Sequence, residues 1–208
     1  MPQLHLIADN MKKWDESLLR HSVSTAELSR KVAEASGFST DEMNVVYLGA
    51  FLHDLGKVCW PRRLLRKKHL NDKDWALIHT HPLVGVSCAR DIDGIDFDVL
   101  RIIEEHHEKP DGSGYPGGLK NNEIHPYSRL VSAVECFVAL TEKRYYRKNI
   151  YSVAEAIDVA YRNGFDPGTL DVVKSIYAGM VREKQSLLLQ YCRDVNFIRR
   201  GGKLEHCN

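Results

Sequence analysis

Apolar residues along this chain recur at intervals of three and four, the spacing of one helix face. No stretch alternates long enough to mark a half-buried strand. The pattern predicts a first helix from about Trp14 to Ser36, stopped at Gly37. A second opens at Ser39, with Glu42 three residues on as a capping box, and carries MNVVYLGAFLHDLG. The basic connector PRRLLRKKHL leads to Asn71, which can cap DKDWALIHTH, and Pro82 re-initiates a helix to about Asp91. Further helices are expected from Asp98 to His107, from Tyr127 to Thr141, over VAEAIDVAYRN up to Gly164, and from about Leu170 to Ile198. After His107 the string KPDGSGYPGG, dense in glycine and proline, breaks the helical pattern. The expected fold class is all-α, a helical bundle with one functional loop. The apolar stripe of the last helix is read as packing within the bundle, with a second copy of the chain as the alternative.

Composition narrows the class. A chain of 208 residues can bury one sizeable core. Its net charge of +1 lacks the basic excess that DNA or RNA binding requires. No apolar run reaches the length of a membrane span, and no signal-peptide pattern opens the chain, so a cytoplasmic protein without a membrane partner is expected. The cysteines at 59, 88, 136, 192 and 207 are odd in number and form no C-x-x-C pair, which favours reduced thiols over a disulfide framework.

The ten histidines are what composition leaves unexplained. Metal-capable residues gather at expected helix ends: His53 and Asp54, His81, and His106 with His107, joined by His21 and Glu135 within helices. Neighbours on a helix point about 100° apart, so an adjacent pair chelates one ion poorly. Two such pairs suit two ions that share a bridging ligand, and Asp54, with two oxygens to offer, is the natural bridge. Two metals about 3.5–4 Å apart are the usual device for in-line attack on phosphorus. Imidazoles with carboxylates suit iron, manganese or zinc better than calcium or magnesium. An apolar helix that ends in His-Asp, with Lys57 one turn on, also implies a counter-ion. Taken singly, His21 or His81 would be an ordinary histidine, and His5, His69, His79, His125 and His206 are read that way.

HDLGK, then HP..G, then HHEKPDGSGYPGGL resembles the HD-GYP subgroup of the HD-domain phosphohydrolases, from about His21 to Tyr177 and including FDP at 165–167. The resemblance implies a helical bundle of the HD-domain type with a glycine-rich GYP loop beside a metal centre. It divides the chain into an N-terminal lead (1–13), the phosphohydrolase domain (14–200) and a tail (201–208). The implied activity is a metal-dependent phosphodiesterase of bacterial signalling that hydrolyses cyclic di-GMP to pGpG, with a further cut to GMP less expected, through a hydroxide bridging two metals. Carried over by position, the ligands are His21, His53, Asp54, His81, His106, His107 and Glu135, and the ions are iron or manganese, with zinc, nickel or cobalt as alternatives. Lys57 would contact the substrate phosphate and act with Asp54 in catalysis, while Tyr115, Arg144 and Arg147 would contact the ligand. The glycines at 112, 114, 117 and 118 are expected to supply backbone angles closed to other residues.

Three positions depart from the family pattern. Glu135 stands where an aspartate is usual, Ser17 stands where trinuclear relatives carry a glutamate, and Tyr145 replaces a proline. The second departure points to two metals rather than three. Two other readings stay open: the same chemistry on another cyclic dinucleotide or nucleotide, and a catalytically weak domain that binds a cyclic dinucleotide or a signalling-protein partner. A homodimer is compatible with each.

Overall fold

The computed structural model describes residues 2–67, 69–142 and 150–180, together with 182 and 186. Within them lie eight bounded helices: α1 (Pro2–Trp14), α2 (Glu16–Ala35), α3 (Thr40–Leu52), α4 (Asp72–Ile78), α5 (His81–Ala89), α6 (Phe97–Glu105), α7 (Pro126–Thr141) and α8 (Val153–Arg162). Residues 167–180 are also helical. No strand occurs among the described residues, where Asp111 and Lys120 form a single isolated bridge. The all-α expectation is therefore borne out.

Local chemistry sets the helix starts. Ser39 and Glu42 form the anticipated capping box on α3, and Asn71 and Asp74 form another on α4. In each, side chain and backbone satisfy donors that a helix start leaves without partners. Ser152 and Glu155 repeat the device on α8.

One helix was not anticipated. The first residues, read as a lead, form α1, and Met11 is fully buried against Leu18, Leu52 and Leu55. The signal was in the spacing. Leu4, Ile7, Met11 and Trp14 follow a helical period, but Leu6 and Ala8 break the apolar stripe and the segment opens without a capping residue.

Two apolar clusters hold the bundle. The larger joins α2, α3, α6, α7, α8 and the helical residues 167–180 through Val32, Val46, Ile102, Val134, Phe137, Ala160 and Leu170. Leu170 and Val173 are fully buried there, so the described part of the last helix packs within the bundle. The smaller cluster ties α1 to the start of α2, the end of α3 and α6. Between α3 and α4 the chain makes two short 3-10 turns, Leu55–Cys59 and Arg62–Arg66. The first lies directly on α5. A Cβ on Gly56 would come within 2.1 Å of the His81 carbonyl oxygen and 2.7 Å of the Gly85 nitrogen. Only glycine allows that approach, and it brings Asp54 up to His81.

Candidate metal centre

Three histidines stand at helix ends. His53 caps α3, His106 caps α6, and His81 lies three residues past Ile78, where α4 finishes. Helix C-termini leave carbonyls without intrahelical partners. Each ring folds back onto one: His53 Nδ1 to Ala50 O at 2.7 Å, His81 Nδ1 to Ile78 O at 2.7 Å, and His106 Nδ1 to Ile103 O at 2.8 Å. A carbonyl only accepts, so Nδ1 carries a proton in all three rings, and Nε2 is the nitrogen left facing the cluster. This is how proteins fix a metal-binding imidazole in one tautomer.

The three Nε2 atoms converge on Asp54, which is 1% exposed. His53 Nε2 lies 3.3 Å from Asp54 Oδ2, His81 Nε2 3.3 Å from Oδ1, and His106 Nε2 3.8 Å from Oδ1. The Nε2 atoms of His81 and His106 stand 3.1 Å apart. Two lone pairs facing each other at that distance repel unless a cation lies between them. His53 Nε2 and Asp54 Oδ1 are buried without a hydrogen-bond partner. Burial, reinforced by the neighbouring rings of His107, His53 and His81, holds His106 well below the usual imidazole range. Burial also lowers His81, aided by Lys57. Burial would raise the Asp54 carboxyl, but His53 and Lys57 outweigh it and hold it well below the carboxylate range. Neutral His81 and His106 imidazoles beside an ionised carboxylate are donors that suit a divalent cation.

The donors fall into two groups. Asp54, His81, His106 and His107 have ligand-capable atoms within 4.8 Å of one another, and so do His21, His53 and Asp54. Asp54 belongs to both, so one carboxylate could serve two ions. Glu135 stands beside the second group, with Oε1 3.5 Å from His21 Nε2. Burial would raise the Glu135 carboxyl, but a hydrogen bond with His21 and the nearby His107, His21 and His53 rings hold it below its ordinary value. The Glu135 carboxylate thus stands ionised against the His21 ring.

Lys57 and Tyr115 border the cluster. Lys57 Nζ lies 2.6 Å from Asp54 Oδ2 and 5.7 Å from the centre of the Trp60 ring. Tyr115 lies against His107, with ring centroids 4.7 Å apart, and stacks on His79 at 4.0 Å. Burial, with Asp54 and Glu135 nearby, pushes its phenol far up, so the hydroxyl keeps its proton as a donor. Arg144, Arg147 and Tyr145 lie outside the described residues.

An HD domain model matches residues 5–167. The chain belongs to the HD domain family. A 3′3′-cGAMP-specific phosphodiesterase of Vibrio cholerae is 30% identical over 181 residues, covering 86% of this chain and 41% of that protein. A cyclic di-GMP phosphodiesterase of Pseudomonas aeruginosa is 32% identical over 169 residues, covering 80% and 41%. Among solved structures, an HDG"Y"P protein from Bdellovibrio bacteriovorus matches with a TM-score of 0.63 and 25% identity, over 77% of this chain and 52% of that one. These relatives bear out the HD-GYP resemblance. The HD domain chain spans about two fifths of the length of both curated relatives.

Sequence reasoning missed four neighbours of this HD domain site. Glu108 was seen only as a letter of the motif. Its buried carboxylate accepts from the backbone N–H groups of Gly117, Gly118 and Leu119, at 2.5, 3.1 and 2.9 Å, and clamps the loop that carries Tyr115. That loop returns so closely on His107 and Glu108 that a Cβ on Gly114 would lie 2.5 Å from the Glu108 Cα. Of the four loop glycines, Gly112 and Gly118 take positive φ, whereas Gly114 is needed for this close approach. His79, read as an ordinary surface histidine, is exposed but stacks on Tyr115. Trp60 lies edge-on to His81 at 5.5 Å. Glu142 meets His21 Nδ1 at 3.2 Å. None of the four could be found by motif, because each acts through tertiary contact. The basic run at 62–68 is partly spoken for: Arg62 donates to the Lys13 carbonyl, and Lys67 pairs with Asp74 at 2.5 Å. No described helix is long and apolar enough to cross a membrane, and Cys59, Cys88 and Cys136 form no disulfide among the described residues.

Proposed function

We propose that this HD domain is a metal-dependent phosphodiesterase that opens a cyclic dinucleotide, with cyclic di-GMP as the first candidate and linear pGpG as its product. The observation that carries the reading is the convergence of three backbone-anchored imidazole Nε2 atoms on one buried carboxylate, Asp54, shared by two donor groups. Cyclic dinucleotide phosphodiesterases among the relatives support the substrate class.

His21, His53, Asp54 and Glu135 would hold one divalent ion, and Asp54, His81, His106 and His107 the other. Bound there, iron or manganese supplies an activated water and neutralises charge on the phosphate. Lys57, anchored on Asp54, directs its ammonium at a non-bridging phosphate oxygen and offsets the charge that grows as water attacks phosphorus. The P–O3′ bond breaks in line with the attack. The ring opens to a linear dinucleotide with a 5′-phosphate, and the freed 3′-oxygen takes up a proton from solvent. Tyr115 donates its retained proton to phosphate or offers its ring to a base, and Glu108 holds it in place. Arg144 and Arg147 follow the ligand-contacting positions of the family and belong to the same proposal.

A second reading keeps the chemistry and changes one base: a relative specific for 3′3′-cGAMP matches over 86% of this chain. Incubating the metal-loaded protein with cyclic di-GMP, 3′3′-cGAMP and cyclic di-AMP, with His53→Ala as control, and separating the products by chromatography tests both. His53-dependent release of pGpG supports the first reading, and preferential opening of the mixed ring supports the second. Full metal occupancy without turnover of any ring contradicts both and leaves a binding role.

A further inference from the structure

His53, His81 and His106 each fix their ring by a hydrogen bond to a carbonyl three residues back at a helix end. His21 is placed differently in its helix. It sits in the second turn of α2, far from that helix's C-terminus, where backbone carbonyls are engaged by the helix itself. The residue is 3% exposed, and acidic side chains stand at both of its ring nitrogens. At Nδ1, 3.2 Å away, stands Glu142 Oε2, the first residue past α7 and 121 positions along the chain. At the opposite nitrogen, Nε2, stands Glu135 Oε1 at 3.5 Å.

We infer that Glu142 is a positioning residue for the second donor group: its carboxylate accepts the His21 Nδ1 proton and thereby turns the Nε2 lone pair toward Glu135 and the cation. This rests on the metal-centre reading of the proposed function. A carboxylate only accepts, so Glu142 holds a proton on Nδ1, and its charge makes the imidazole a stronger donor once a cation occupies the Nε2 side. The arrangement also suits Glu135. A cation between His21 and Glu135 would be held by the His21 Nε2 lone pair on one side and the Glu135 carboxylate on the other. Glu135 lies within α7 and Glu142 is the residue just past its end, so one element and its cap supply both carboxylates.

The test is cobalt(II) or manganese(II) binding by competition with a chelating indicator, on wild type, Glu142→Ala and Glu142→Gln, together with thermal melts of the metal-free proteins. Glu142→Ala should raise the dissociation constant of the weaker ion about 10- to 100-fold. The glutamine, which can still accept from Nδ1, should recover most of that loss, and all three proteins should reach the same metal content at saturation. Equal affinities in all three overturn the inference. So does a lower metal content at saturation in Glu142→Ala, which would make Glu142 a ligand. A fall in the metal-free melting temperature with unchanged affinity would make Glu142 merely structural, which also overturns it. Because no substrate is involved, a wild type that binds two ions but opens no ring sinks the proposed reaction and leaves this inference standing. A wild type that binds none removes both.

Discussion

The two donor groups around Asp54 are built on different principles. In one, His81 and His106 are set by carbonyls three residues away, at the ends of α4 and α6. In the other, His21 is set by side chains from α7, more than a hundred residues along the chain. The first is local: once each helix ends where it does, the ring orientation follows from satisfying an orphan carbonyl. The second requires α2 and α7 to be packed correctly before any donor is aimed. Damage to packing should therefore reach the His21 group first, whereas damage to Asp54 should reach both.

The largest effect is expected from Asp54→Asn, which removes the shared carboxylate. Metal affinity and turnover should fall by more than the ~100-fold that changes outside the ligand shell can cost, measured by indicator competition and product chromatography. If one group kept its ion, Asp54 would not be shared. Gly56→Ala attacks the local side. Its methyl meets the His81 carbonyl, which is backbone and cannot turn aside. We expect a loss of about 3 kcal/mol in urea unfolding, the upper end for overpacking, with weakened binding in the His81 group.

Glu135→Asp sharpens the contrast. One methylene less withdraws the carboxylate from His21, so the ion on that side should bind about 10-fold more weakly, while the other keeps its affinity. An unchanged or tighter constant would show that Glu135 does not need its length.

The smallest effect is set by pH in the metal-free protein. His81, His106 and His107 are all depressed by burial, His107 to about 3. Below the unfolded value of about 6.5, the unfolded chain takes up protons that the native rings refuse. Stability is therefore complete above that pH and lost as pH falls toward the folded values. Melting temperatures of the metal-free protein should drop by about 5 °C or more between pH 7 and 5, and His107→Asn should flatten the slope. A flat wild-type profile would mean that the rings titrate normally.

What was legible in the sequence follows the same division. Capping boxes at Ser39 and Asn71, helix stops, and the His-Asp and His-His pairs are local patterns, and they led to the bundle and to six histidine and aspartate residues that the fold brings together. Glu142, Glu108, His79 and Trp60 escaped because no spacing rule ties a glutamate after α7 to a histidine on α2, or a loop tyrosine to the ring before α5. α1 escaped for a different reason. Leu4, Ile7, Met11 and Trp14 are periodic, but Leu6, Ala8 and the polar residues between them blur the stripe.

The most direct test of the central claim is metal content against turnover in one preparation. The protein is purified without oxygen, loaded with iron or manganese, freed of excess ion, and assayed with cyclic di-GMP. Two ions per chain, with pGpG released in proportion to occupancy and lost in His53→Ala, is the expected result. A protein that opens the ring at full rate after every ion has been chelated away would contradict the account, as would one that saturates with a single ion.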